Sequence, residues 1–190
     1  NALDAATTAD DNTAVGYEAL GANTSGTDNV AVGQAALDAN TSGNLNTACG
    51  SFALSTATTA SNNTGLGYSS LFLLTTGSNN TAVGRASGEN VTTGAQNVFV
   101  GAESGDAATT ASNNTGIGYE ALGKLTTGTD CVGVGRAAGL DITTGGGSVA
   151  IGVEALENST TGSNNVAVGK QAGRSISTGG NCMLLGPFSG

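Results

Sequence analysis

The chain has 190 residues, a net charge of −9, five basic residues, no His and no Trp. Its charged fraction of 10% lies far below the ordinary quarter, and together with a single Pro this separates it from disordered chains. So few basic residues argue against a nucleic-acid surface, and no stretch approaches the ~18 apolar residues that span a membrane.

Gly recurs at 16, 33, 50, 67, 84, 101, 118, 135, 152, 169 and 186, every seventeen residues without an insertion or deletion. The chain enters in mid-unit, because Asn1-Ala2-Leu3 aligns with Glu18-Ala19-Leu20. Complete units begin at 12, 29, 46, 63, 80, 97, 114, 131, 148 and 165, and the last begins at 182. The end at Phe188-Ser189-Gly190 has the phase of the start. That phase is expected of a piece of a longer fibre, or of copies that meet end to end.

Position one of the unit is Asn in eight copies, with Cys131, Ser148 and Cys182 as exceptions. Its stacked amides are expected to hydrogen-bond from coil to coil. Positions two to four alternate as a half-buried strand does, for example Thr13-Ala14-Val15. The Gly at position five is expected to need positive φ or a close backbone approach. Position six carries Tyr17, Tyr68, Tyr119, Arg85 and Arg136, with the tyrosines three coils apart. Position eight is only Ala or Ser. Positions nine and twelve compensate: Gly88, Gly139 and Gly173 are followed by Val91, Ile142 and Ile176, whereas Leu20 and Leu37 are followed by Asn23 and Asn40. Leu71 with Leu74 and Leu122 with Leu125 break that rule, so their coils are expected to bulge or expose one Leu. Positions thirteen to fifteen read Thr-Thr-Gly or a close variant, a turn whose hydroxyls satisfy backbone groups.

Units this short cannot form a helix pair, and frequent Gly opposes helix. The expected fold is all-β: one parallel β-solenoid, or β-roll, of eleven 17-residue coils forming a single array over 1–190. A coil contour of about 56 Å allows two short strands and two turns, and stacking at ~4.8 Å gives a rod of about 50 Å. Positions two, four and eight are expected to fill the inside. Position three then points outward. Its restriction to small residues predicts that Ala14, Ala31, Ala48, Gly65, Ala82, Gly116, Gly133, Ala150 and Ala167 face another chain. Phe99 and Leu184 are expected to fill gaps at that interface or to sit where the packing ends.

Ser148-Val149-Ala150-Ile151-Gly152 and Asn165-Val166-Ala167-Val168-Gly169 resemble the head-domain repeat of trimeric autotransporter adhesins. The fuller pattern Asn12-Thr13-Ala14-Val15-Gly16-Tyr17-Glu18-Ala19-Leu20, with a trailing Thr-Thr-Gly, is similar to arrays in bacteriophage tail-fibre and bacterial surface-fibre proteins. The resemblance implies a left-handed, homotrimeric extracellular fibre on a virion or cell surface, with a binding or spacing role and no catalysis.

The remaining chemistry is sparse. Without His, and with acids scattered singly, no nucleophile–base pair is visible, so no enzyme and no cofactor are expected. No calcium-type repeat is present, so no metal is expected. Cys131 and Cys182 lie three coils apart, about 14 Å by stacking, too far for a bridge. Sequons at Asn23, Asn40, Asn62, Asn79, Asn90, Asn113 and Asn158 follow from the abundance of Asn and Thr. The expected role is a rod-like spacer in a fibre, touching a receptor or glycan through Tyr17, Tyr68, Tyr119, Arg85 and Arg136. An adhesin head is the alternative. An ice-binding solenoid is the minor one, since the threonines are adjacent where an ice face needs Thr-x-Thr.

Overall fold

The computed structural model describes residues 1–5 and 7–189. It contains eleven strands of three residues: β1 (Thr13–Val15), β2 (Val30–Val32), β3 (Thr47–Cys49), β4 (Thr64–Leu66), β5 (Thr81–Val83), β6 (Val98–Val100), β7 (Thr115–Ile117), β8 (Val132–Val134), β9 (Val149–Ile151), β10 (Val166–Val168) and β11 (Met183–Leu185). Each pairs in parallel with the next, in sequence order. The register is constant: Ala14 faces Ala31 and Ala31 faces Ala48. The fold is therefore the β-solenoid that the period implies. Each coil holds one strand, however, where two were expected.

Turns replace the second strand. Within one coil Ala19 N–H donates to the Gly16 carbonyl, Gly21 N–H to Glu18 and Asn23 N–H to Leu20. Glu18 and Leu20 sit at φ 58° and 51°, as the third residue of a type II turn does. Left-handed φ costs a non-glycine residue on the order of 1 kcal/mol. Bonds to the next coil hold it in place: Leu20 N–H reaches the Ala36 carbonyl at 3.0 Å and Ala22 N–H reaches Asp38 at 3.0 Å. The backbone is thus bonded coil to coil around most of the contour, not only at the strand.

The interior corrects the expected facing. Positions two and four point outward, and position three points in. Ala31, Ala48, Ala82, Ala150 and Ala167 are fully buried within one chain. Gly65, Gly116 and Gly133 are buried too, while Ala14 is half-buried at the first strand. This column packs inside its own solenoid, where Leu, Ser and Phe side chains of the preceding coil, with Ser70 of its own coil at Gly65, cover it. An added Cβ at Gly65 would lie 3.3 Å from Leu54 Cγ, and one at Gly133 2.9 Å from Leu122 Cγ. Phe99 is fully buried inside its own solenoid, and Leu184 packs partly buried on the last core cluster.

Leu71, Leu74, Leu122 and Leu125 are all fully buried, so no Leu is expelled. Room comes from glycines of the following coil: an added Cβ at Gly88 would lie 3.0 Å from Leu71 Cδ2, and those at Gly133 and Gly139 would each lie 2.9 Å from Leu122. Coil 97–113 inverts the exchange, pairing Phe99 with Gly105 and Ala108. Positions three, nine and twelve therefore draw on one space shared between neighbouring coils, a large side chain in one facing glycines in the next, as close packing requires.

Position one lies inside and forms an amide ladder. Asn12 Oδ1 accepts from the Asn29 backbone N–H at 2.9 Å and from Asn29 Nδ2 at 3.1 Å. Asn29 Nδ2 also donates to the Gly43 carbonyl at 2.8 Å. The pattern runs through Asn114 to the Cys131 N–H. Cys131 and Ser148 then interrupt the amide-to-amide links, and near this point the core divides into two clusters.

Candidate functional site

Position six forms one corner of the rod. Tyr17, Tyr68 and Tyr119 are exposed there. They do not come together, because three coils separate each from the next, about 14 Å. Tyr68 packs edge-on against Phe52 with ring centroids 6.0 Å apart, and Phe52 meets Phe72 at 6.3 Å. A hydrogen bond and negative charge from Glu18 push the Tyr17 phenol above its ordinary pKa, and Glu120 does the same at Tyr119.

Arg85 and Arg136 lie in the same column and are engaged within the chain. Arg85 pairs with Glu103 and Arg136 with Glu154, each on the following coil. The Glu103 hydrogen bond holds the Arg85 pKa above its ordinary value. Lys124 reaches Asp141 at 2.7 Å, Arg174 reaches Glu157 at 2.6 Å, and Lys170 sits 5.8 Å over the Phe188 ring. The cations thus link coils along the rod and form no joint basic patch. A shallow acidic hollow lies on the flank beside this corner, lined by Asp4, Glu18 and Asp38. Burial and Glu18 raise the Asp38 carboxyl pKa.

The threonines of positions thirteen and fourteen occupy another corner. Thr41, Thr75 and Thr126 each donate Oγ1 to the carbonyl of the equivalent residue on the next coil, near 3.0 Å. The position-thirteen hydroxyls therefore satisfy the backbone. Asn23 and Asn40 are fully buried, which removes two sequons from reach, whereas Asn62, Asn79 and Asn113 are exposed. Cys131 is buried with its thiol pKa raised by desolvation, and Cys49 is exposed on the strand. Among the described residues no group of three His, Cys, Asp or Glu is placed to hold a metal, and no helix is long and apolar enough to cross a membrane.

One surface escaped the sequence reading. Positions two and four form the outer face of the sheet. Val15 is 58% exposed, Ile117 and Ile151 are each 40% exposed and Val168 is 38% exposed. The available signal was steric: a column restricted to Ala and Gly fits a narrow interior as well as it fits a partner chain. No family model, curated protein or solved structure matches the chain.

Proposed function

We propose that the chain is a non-enzymatic, rod-like spacer in an extracellular fibre, a phage tail fibre or a comparable surface filament, built from copies of itself. The observation that carries this reading is the unbroken stack: eleven parallel strands in sequence order with constant register. Such a stack sets length by coil number, which is what a spacer needs. Each coil adds ~4.8 Å and contacts only its neighbours. The exposed tyrosines at position six are the points where a receptor or glycan would touch, one contact every three coils. The engagement of Arg85 and Arg136 in ion pairs leaves this role chiefly to Tyr17, Tyr68 and Tyr119.

Removing residues 63–113, one period of three coils, tests the reading. Coil 46–62 would then meet coil 114–130, with Tyr119 taking the place of Tyr68. Small-angle scattering should show a folded rod about 14 Å shorter. A collapsed or aggregated chain, or a length that does not follow coil number, would contradict the spacer role.

A further inference from the structure

We infer that the outer face of the eleven-stranded sheet is the surface through which copies of this chain pack on one another. The inference rests on the fibre reading above and names its contact face. Positions two and four across all eleven strands hold Thr, Val, Ile, Leu, Met and Cys, without one charged residue. Fourteen acidic residues in the chain avoid this face. Asp11, Asp28 and Asp130 border it at position seventeen, so an apolar centre has a polar rim, as interfaces do.

Size and pitch choose the occupant. Eleven strands at ~4.8 Å, each about 10 Å long, give a face of about 500 Å². Two such faces bury about 1,000 Å² in total, the lower bound of a specific interface. The side chains repeat at one strand spacing along the whole face, because no coil carries an insertion. A partner that engages every coil must share that spacing, and a second copy does so by construction. A long flat apolar sheet face left in water is also an aggregation hazard, which a closed assembly removes.

Sedimentation of the full chain tests this, expecting a particle of at least twice the 18.1 kDa chain mass. The double variant Ile117→Lys/Ile151→Lys should sediment as a monomer while keeping the β circular dichroism. Thr76→Lys/Thr127→Lys, which places the same charge on the exposed threonine corner, should keep the assembly. A second measurement covers failure of the variant to fold: in a Cys182→Ser chain, maleimide should label Cys49 several-fold more slowly at high chain concentration than at low. A monomeric parent, an Ile117→Lys/Ile151→Lys assembly of unchanged mass, or concentration-independent labelling would each overturn the inference. So would a monomer that shapes ice crystals through this face. An assembly that persists in Ile117→Lys/Ile151→Lys, with a rod length that still follows coil number, would reject this face and leave the spacer reading standing.

Discussion

At the scale of single residues, the interior is a volume exchange between neighbours. Phe99 takes space that Leu side chains occupy in other coils. An added Cβ at Gly105 would come within 2.5 Å of the Phe99 ring, and one at Gly116 within 3.1 Å of Cδ1. Phe99→Ala should therefore cost on the order of 4 kcal/mol in denaturant unfolding, the usual cost of a large buried cavity. Adding Gly105→Leu restores the Ala–Leu pair of coil 46–62 and should recover most of the loss. The backbone permits it: Gly105 is at φ 60°, and Leu54 and Leu122 hold the equivalent position at 53° and 54°. Additive destabilisation by the two changes would reject the shared volume. Charge acts by the same locality. Burial, then Glu89 and Glu103, raise the Asp106 carboxyl pKa. The folded chain thus binds that proton more tightly than the unfolded chain. The contribution to stability is full below the ordinary Asp range and is lost as pH rises through the folded pKa. Asp106→Asn should raise the melting temperature at pH 7 and lose that advantage near pH 3. An equal gain at both would place its cause outside this titration.

At the scale of the coil, strand and ladder have different causes. Each strand is only three residues long, so its hold on the neighbour depends on the amides that continue the bonding. Asn80 shows the dependence. Its Oδ1 accepts from the Asn97 N–H and Nδ2, and its Nδ2 donates to Asn63 Oδ1 and the Gly94 carbonyl. Asn80→Ala leaves several of these groups buried without partners. It should cost about 3 kcal/mol in urea unfolding, at the upper end for such orphaned groups. Ser148→Asn, which restores one missing rung, should stabilise. A loss below ~0.5 kcal/mol at Asn80 would mean the ladder is incidental. The period, the strand and this ladder were legible because each leaves a column in the sequence. The facing of the strand was not. Alternation places positions two and four opposite position three but does not say which side is inside. The usual preference for burying Val and Ile pointed the wrong way. The inside at β1 to β10 is narrow, since Leu20, Leu54 or their equivalents already reach across it, and mostly only Ala or Gly fits beside them. Phe99 marks the opposite case, where Gly88, Gly105 and Gly116 withdraw together.

At the scale of the whole molecule, the stack is a one-dimensional chain of neighbour contacts, and its weakest link decides how far damage spreads. Gly67 offers the sharpest way to damage it. It sits at φ 133°, and an added Cβ would lie 2.5 Å from the Gly84 carbonyl oxygen and 2.7 Å from its carbon. Those atoms are backbone of the next coil and cannot yield without breaking the strand register. Gly67→Val should therefore cost about 4 kcal/mol or more, among the larger single-residue effects. The loss should stay on one side of the molecule. Asn amides link the coils from Asn12 to Asn114 and one hydrophobic cluster joins them as far as Ile142, whereas a separate cluster of Ala138, Ala150, Ala155, Leu156, Ala167 and Ala172 supports β9 and β10. Hydrogen exchange of the Gly67→Val chain should show protection falling in β3 to β6 and persisting in β9 and β10. Equal loss along the entire stack would make the solenoid a single cooperative unit and remove the division at Cys131 and Ser148 as a physical boundary.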